Sequence, residues 1–331
     1  MRTPVEHCEI CHGTHFTGVG SRDRSGKPLR TVVCEGCGLV FSNPRPSTAD
    51  LRAFYRESYR ITYKHSWQPS LKHIYRGGHV ARQRLRHVMP FLTPGSSVLD
   101  FGSGGGEFVF MLRELGHDAR GIEPNVGYAE YSRDALGIPV QIGGFDEAQV
   151  QDESLDLVTL FHVAEHLEHP VEAFRKAAEW LRFGGRLYVE VPNVENQEIW
   201  PTSRFHEAHL YNFNAATLAH AGRRAGLHPV SSFPSSDGGN VSAVFVKTKS
   251  DFENLPAKLP GNADRVRRIL RDHNVVSHFF TVHPYLRPLR KLQRYLRERR
   301  GIACYTDGQG LLRVAVKKWR DEEGSAEGPV W

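Results

Sequence analysis

The chain has 331 residues, enough for one sizeable domain with smaller attachments. Its 40% hydrophobic and 24% charged residues are typical of a globular protein, and no apolar run approaches the ~18 residues of a membrane span. The first ten residues lack the apolar core of a signal peptide, and four of the five cysteines are paired as in metal sites of reducing compartments, so we expect a cytoplasmic protein. The net charge of +6 permits a polyanionic partner without requiring one.

Two Cys-x-x-Cys pairs lie near the start of the chain. Cys8 and Cys11 form the first pair, and Cys34 and Cys37 form the second after 22 intervening residues. Each pair can place two thiolates on one ion through a tight turn, and the two pairs together complete a tetrahedral zinc site. Because cysteines fill all four positions, the ion should be structural. A redox dithiol is the alternative, but no βαβ pattern surrounds either pair. We predict a zinc-binding ribbon over residues 1–45.

Residues 46–90 form a predicted linker and lead-in. A basic amphipathic pattern over Val80–Phe91 predicts a helix before the first core strand. The linker is rich in aromatic side chains, which either line a substrate pocket or pack the linker onto the core: Phe54, Tyr55, Tyr59, Tyr63, Trp67 and Tyr75.

A glycine-rich turn follows a short apolar run. Ser97–Phe101 predicts a buried parallel strand, and Phe108–Leu112 opens a helical pattern. Between them lie Gly102, Gly104 and Gly106. This order of strand, glycine turn and helix lets backbone approach a ligand closely at a helix N-terminus.

A second predicted strand, Asp118–Ile122, leads into an acidic residue. Glu123 lies 21 residues after Gly102, close to the ~20 at which an acid meets ribose hydroxyls in nucleotide-binding βαβ units. The dinucleotide fingerprint does not fit, because its third glycine would stand where Glu107 is, and that carboxylate would face a pyrophosphate. A nucleoside with a charged amino-acid tail has no pyrophosphate, so Glu107 does not argue against such a ligand.

The pattern resembles the class I methyltransferases that use S-adenosylmethionine (SAM), whose first motif is a strand ending in D-x-G-x-G-x-G. The resemblance implies an α/β fold with a doubly wound, Rossmann-like sheet of seven strands over residues 91–250. It also implies that Glu123 holds the ribose and that Phe145, after a third strand, stacks on the adenine or contacts it through its backbone. The predicted SAM-binding residues are Asp100, Phe101, Gly102, Gly104, Gly106, Glu123, Pro124, Phe145, Phe161 and His162.

The remaining core strands follow in order. Apolar runs predict a third strand at Ile138–Ile142, a fourth at Leu155–Phe161 and a fifth at Leu187–Pro192. Leu227–Ser231 and Val241–Val246 resemble the antiparallel pair that ends this fold.

The fourth strand leads into His162-Val163-Ala164-Glu165-His166, which is similar to the family's H-V-L-E-H signature. The two histidines have the spacing of the zinc-protease helix pair. That motif requires glutamate directly after the first histidine, and Val163 is there, so a metalloprotease is excluded.

The loop after the fifth strand narrows the resemblance. Together with the zinc ribbon, Phe205–Phe213 looks like the sugar C-methyltransferases of deoxysugar biosynthesis, whose loop has Tyr-His-Glu-His. Aligned on Phe213, His209 matches the last histidine and His206 stands where the tyrosine should be. Aligned on the first histidine, Phe205 takes the place of the tyrosine without a hydroxyl. The inserted Ala208 departs from the family pattern and puts C-methylation in question, though not the methyl donor.

Methyl transfer from a sulfonium needs an aimed nucleophile and a base for the acceptor's proton. Histidine suits this task because its pKa lies near neutrality. We predict His209 as the base, with His206 and His162 as orienting partners. The acceptor is either a carbon beside a keto group on a nucleotide-linked sugar or a hydroxyl of a sugar or another metabolite.

Residues 251–331 predict a basic helical extension, with helices at Ala263–His273 and Pro288–Arg300 and a last strand at Leu311–Val316. The basic residues recur at helical spacing, as a solvated face or an anion clamp: Arg287, Arg290, Lys291, Arg294 and Arg297. The alternative function is a nucleic-acid-binding zinc and SAM protein or an RNA methyltransferase. The chain lacks the D/N-P-P-Y type signature of methylases that act on base amino groups.

Overall fold

A computed structural model describes residues 2–47, 50, 53, 66–249 and 257–325, and for residues 324 and 325 it describes the backbone alone. Within these ranges the chain forms two compact units, each built from segments distant in sequence. The first unit comprises Met1–Leu51, Gln151–Ser154 and Leu160–Arg290. The second comprises Arg52–Val150, Leu155–Thr159 and Lys291–Trp331.

The strands of the described residues are β1 Arg2–Thr3, β2 Phe16–Arg22, β3 Pro28–Cys34, β4 Val40–Ser42, β5 Arg45–Pro46, β6 Ser97–Phe101, β7 Asp118–Glu123, β8 Val140–Ile142, β9 Leu155–Phe161, β10 Leu181–Pro192, β11 Tyr211–Asn212, β12 His228–Pro234 and β13 Asn240–Val246. The α-helices are α1 Leu71–Val88, α2 Glu107–Glu114, α3 Val126–Asp134, α4 Pro170–Trp180, α5 Ala215–Arg224, α6 Asn262–Asp272, α7 Val275–Phe279, α8 His283–Ile302 and α9 Gly308–Ser325.

Seven strands form one sheet in the order β12-β13-β10-β9-β6-β7-β8. β6, β7 and β8 are parallel, whereas β13 runs antiparallel to both β10 and β12. The central strands β6 and β9 are almost fully buried, which explains why they are short apolar runs without alternation. The predicted doubly wound sheet and its closing antiparallel pair are confirmed.

The predicted strand at Leu311–Val316 is wrong, because these residues lie inside helix α9. α9 packs against α1 and α2 in the second unit. Its buried side chains Leu312, Val316 and Trp319 recur every three or four residues, which is helical periodicity. A short run in which five of six residues are apolar does not distinguish a strand from a buried helix, and the contact with α1 decides between them.

The predicted basic helix in the C-terminal extension forms the greater part of α8. The basic face proposed from the sequence is exposed along its length, and Leu289 and Leu292 are each more than half exposed beside it. Glu298 is buried and accepts a hydrogen bond from Arg76 Nη2 at 2.8 Å. No helix in the described part of the chain is both long and apolar enough to cross a membrane.

Two of the six linker aromatics fall in the described residues. Trp67 packs against Gly127, where a Cβ would come within 2.4 Å of the Trp67 carbonyl oxygen. Tyr75 packs against Gly301, where a Cβ would come within 2.2 Å of its ring. These two side chains therefore pack against other parts of the second unit. The other four lie outside the described residues.

Candidate functional site

The four paired cysteines converge in the first unit. All four are buried, with Cys8 Sγ 3.6 Å from Cys37 Sγ and Cys11 Sγ 3.4 Å from Cys34 Sγ. A tetrahedral zinc ion with Zn–S bonds of about 2.3 Å separates its sulfurs by about 3.8 Å, whereas a disulfide holds them at about 2 Å. The thiols are free and spaced as a tetrahedral ion requires, so the predicted ligands fit zinc.

The ribbon that carries these cysteines also holds the loop of residues 205–213. The ribbon sheet has the order β11-β4-β3-β2, so that β11, from the end of the loop, pairs antiparallel with β4. The Ser42 N–H donates to the Leu210 carbonyl at 3.0 Å, and the Arg24 N–H donates to the Phe205 carbonyl at 2.8 Å. Arg45 Nη1 donates to the Tyr211 hydroxyl at 2.7 Å. The conformation of the loop is thus fixed by strand pairing and hydrogen bonds to the ribbon.

The histidine that follows β9 sits beside a buried carboxylate. His162 has a φ of 57°, a left-handed conformation that is rare for a residue other than glycine. Its Nδ1 lies 3.4 Å from Glu165 Oε1, and its Nε2 lies 3.4 Å from Glu190 Oε1. The Glu165 side chain is 1% exposed, and His166 Nε2 lies 3.7 Å from its Oε1.

Three histidine rings of the first unit meet at the loop. The ring of His209 lies 4.9 Å from that of His166 and 4.8 Å from that of His206. Ala208 orients the other two rings, because its N–H donates to His206 Nδ1 at 2.9 Å and its carbonyl accepts from His166 Nδ1 at 2.7 Å. The residue that departs from the family pattern therefore supplies the backbone groups that fix two imidazoles.

Burial sets the protonation of this cluster. Desolvation lowers the pKa of His209 to about 3 and that of His206 to about 4, so both imidazoles are neutral near pH 7. Burial alone would raise the pKa of Glu165, but the imidazoles around it outweigh that effect and lower it to about 2. The cluster thus holds one ionised carboxylate together with the neutral rings of His206 and His209.

The predicted donor site lies in the second unit. Gly102, Gly104 and Gly106 all have positive φ, between 60° and 81°, so the turn after β6 depends on glycine. The Gly104 N–H donates to Glu123 Oε2 at 2.8 Å, which brings the glycine turn and the predicted ribose acid together. At Gly106 a Cβ would come within 2.8 Å of Ser132 Oγ, so this glycine is also required by packing on α3.

Asp100 and Phe145 complete this part of the site. Asp100 is 3% exposed and accepts a hydrogen bond from Thr159 Oγ1 at 2.7 Å. Desolvation raises its pKa to about 7, and the hydrogen bond from Thr159 and the charge of Arg84 offset this effect only in part. Phe145 stacks on Phe101 with ring centroids 3.7 Å apart, so Phe101 covers one face of its ring. Pro124 directly follows Glu123 and is half-buried.

Two further residues predicted to bind the donor, Phe161 and His162, belong to the first unit. Phe161 is buried, and its ring packs against Tyr188 at 5.5 Å. His162 belongs to the histidine cluster. The sequence reasoning gave no role to Glu165 or His166, although both stand in the H-V-A-E-H run. A role for Glu165 and His166 could have been predicted from their position just after a central strand, because doubly wound sheets bind ligands at the carboxyl ends of their strands.

Comparison with known proteins finds similarity to methyltransferases. Residues 72–232 match the model of a family described as a methyltransferase domain. The ubiquinone biosynthesis O-methyltransferase of Albidiferax ferrireducens is 25% identical over 175 residues, which are 46% of this chain and 64% of the relative. An uncharacterized methyltransferase of Anoxybacillus flavithermus is 30% identical over 109 residues, 32% of this chain and 51% of the relative. The chain thus spans less than two thirds of either relative.

Solved structures give the same fold at low identity. A SAM-dependent methyltransferase of Thermotoga maritima is 22% identical, covers 53% of this chain and 91% of its own, and has a TM-score of 0.41. The CcbJ methyltransferase of Streptomyces caelestis is 15% identical, covers 51% of this chain and 89% of its own, and has a TM-score of 0.43. The strand order of the sheet is that of the Rossmann-like methyltransferase fold, and the matched residues 72–232 contain β6 to β11 of the chain and most of β12.

Proposed function

We propose that the chain transfers the methyl group of SAM to a carbon or oxygen of a small-molecule acceptor, a sugar or a nucleotide-linked sugar. The observation that carries this proposal is the cluster of three histidines and Glu165 in the first unit. A methyltransferase domain needs only the donor turn to bind SAM, and the additional buried imidazoles serve the acceptor. The inserted Ala208 leaves both C- and O-methylation open.

The residues of the second unit fit SAM as donor. The carboxylate of Glu123 and the N–H groups of the glycine turn suit ribose hydroxyls and the carboxylate of the methionine tail. Asp100 offers a buried carboxyl whose ionised form the cationic part of the ligand would favour. When bound, SAM supplies an electrophilic methyl on a sulfonium. The protein has to position the acceptor and remove its proton.

The acceptor's proton passes to an imidazole of the cluster. His209 is the first candidate because its ring lies at the centre of the cluster, in contact with both His166 and His206. Burial keeps it neutral in the free protein but also makes it a weak base, so a base role requires that the bound acceptor and Glu165 stabilise the protonated ring. His206 and His162 orient the acceptor. Of these, His162 is the alternative proton acceptor, because its side chain is 38% exposed.

Incubation of the purified chain with SAM and a panel of nucleotide sugars tests the proposed acceptor. We expect one acceptor to gain one methyl group in mass, with stoichiometric formation of the demethylated donor. Hydroxylated metabolites without a nucleotide serve as the comparison set. Methylation of a nucleic acid, with none of these small acceptors modified, would contradict the proposal and favour the RNA methyltransferase alternative.

The affinity for SAM should rise with pH because of Asp100. Its pKa of about 7 in the free protein means that the carboxyl is largely protonated below that value. A cationic ligand favours the carboxylate, so binding releases a proton and the affinity increases up to about tenfold per pH unit between pH 5 and 7. Titration calorimetry at several pH values, in buffers of different ionisation enthalpy, measures both effects.

Asp100→Asn is the matched variant for this pH dependence, since it keeps the shape and removes the titration. We expect weaker SAM binding with a flat pH profile and no proton release. A variant that keeps the slope of the wild type would show that another group carries it.

A further inference from the structure

Two groups of side chains in the described residues bring three or more metal-ligand atoms within 4.8 Å of one another. One is the four cysteines. The other consists of Glu165, His166 and His209, hereafter the Glu-His-His cluster. We propose that the Glu-His-His cluster is a second metal site in the first unit, which binds a divalent transition-metal cation. The role given to the cation rests on the proposed methyl transfer, whereas its binding does not.

Glu165 is the first reason for a cation. Its side chain is 1% exposed, and neither carboxylate oxygen accepts a hydrogen bond from any described residue. The nearest side-chain nitrogens that form ion pairs with it are His162 Nδ1 at 3.4 Å and His166 Nε2 at 3.7 Å, longer than a good hydrogen bond. A buried carboxylate is costly unless it is paired or coordinates a metal. Both oxygens are therefore available to a cation.

The orientation of His166 is the second reason. Its Nδ1 donates to the Ala208 carbonyl at 2.7 Å, so in the neutral ring the lone pair is on Nε2, the atom nearest to Glu165. Metal-binding histidines are typically held in this way, with the other ring nitrogen bonded to a carbonyl. Ala208 thus acts as an outer partner of the site.

His209 is the third ligand. Its ring stands nearly perpendicular to that of His166, at an interplanar angle of 76°, and its ligand atom lies within 4.8 Å of those of Glu165 and His166. The Cys-free set of two imidazoles and one carboxylate suits Zn²⁺, Fe²⁺ or Co²⁺ better than Mg²⁺, which prefers oxygen ligands. Three protein ligands leave coordination positions open, as in catalytic sites.

An open position on the cation gives the cluster a chemical role. A cation would lower the pKa of a hydroxyl that it binds, or of the C–H beside a keto group whose oxygen it binds. The proton released then passes to an imidazole outside the ligand set, for which His162 is placed beside Glu165. In the loaded site His209 is a ligand rather than the proton acceptor.

Cobalt titration of the intact, zinc-loaded chain tests the site. The cysteine site is first filled with zinc, and Co²⁺ is then added while the visible spectrum and the heat of binding are recorded. We expect one further equivalent of Co²⁺ with ligand-field bands and without a thiolate-to-cobalt charge-transfer band, because the ligands are nitrogen and oxygen. Absence of this equivalent, or a thiolate band alone, would overturn the proposal.

Variants assign the ligands. Glu165→Gln and His209→Ala should each weaken Co²⁺ binding by more than the 10–100-fold that loss of an outer partner costs. His228→Ala, which removes an exposed histidine of β12, should bind as the wild type does. If the buried Glu165→Gln does not fold, as shown by loss of the cysteine zinc, His209→Ala decides. A His209→Ala protein with wild-type Co²⁺ affinity refutes the site.

Separate readouts distinguish the two proposals. Methyl transfer by a protein that holds only the cysteine zinc would keep the proposed function and remove the second cation. A protein that binds the second cation but methylates none of the small acceptors would keep the metal site and remove the proposed function.

Discussion

His209→Ala should lower the turnover of methyl transfer by about 10²–10⁴-fold and leave the affinity for SAM nearly unchanged. The ring removed is at the centre of the histidine cluster in the first unit, whereas Asp100 and Glu123, the proposed donor residues, lie in the second. Turnover is measured with saturating SAM on the acceptor found by mass gain, and SAM affinity by calorimetry.

His206→Phe is the comparison for this variant. It removes an imidazole of the same cluster but not the proposed proton acceptor or metal ligand, so we expect a smaller loss. If His209→Ala kept turnover within a few-fold while His162→Ala abolished it, His209 would not be the base. Co²⁺ binding by His209→Ala separates the roles of base and metal ligand, because loss of a ligand weakens Co²⁺ binding whereas loss of a base does not.

Cys34→Ser should abolish zinc binding and, with it, methyl transfer. We expect about one zinc per chain in the wild type, measured by metal analysis of protein purified without chelator, and a large loss in the variant. Turnover should fall with it because β4, which follows the second cysteine pair, is the strand on which the loop of residues 205–213 is built. SAM binding in the second unit should persist.

Cys304→Ser is the matched control, because Cys304 is exposed and lies outside the four-cysteine site. It should keep both zinc and turnover. Full zinc retention in Cys34→Ser would refute the four-cysteine assignment. Retained turnover in a zinc-free variant would show that the loop does not depend on the ribbon.

The core sheet could be predicted because local patterns specify it. Apolar runs of five and seven residues predicted β6 and β9 with the bounds that the structure shows. The glycine turn correctly predicted the change from strand to helix after β6. Length and turn chemistry decide such segments without knowledge of distant contacts. The same reasoning failed at Leu311–Val316, where packing on α1 rather than local pattern selects the helix.

The histidine cluster could be predicted only in part. The sequence singled out His162, His206 and His209 through a family pattern, but pairing between β4 and β11 joins residues about 170 positions apart and leaves no local signal. The contact of His166 with the Ala208 carbonyl depends on that pairing. For the same reason no sequence pattern indicates that burial lowers the pKa of His209 so far below its usual value.

The pairing of β11 with β4 bears on how this protein can be shortened or recombined. The matched methyltransferase domain begins at residue 72, so a fragment cut there would retain the whole seven-stranded sheet yet lose the strand beside Tyr211. Such a fragment would present an unpaired strand edge and misplace the loop. A chimera meant to exchange acceptor preference between related proteins must therefore transplant the N-terminal ribbon and the loop together, as one inherited pair.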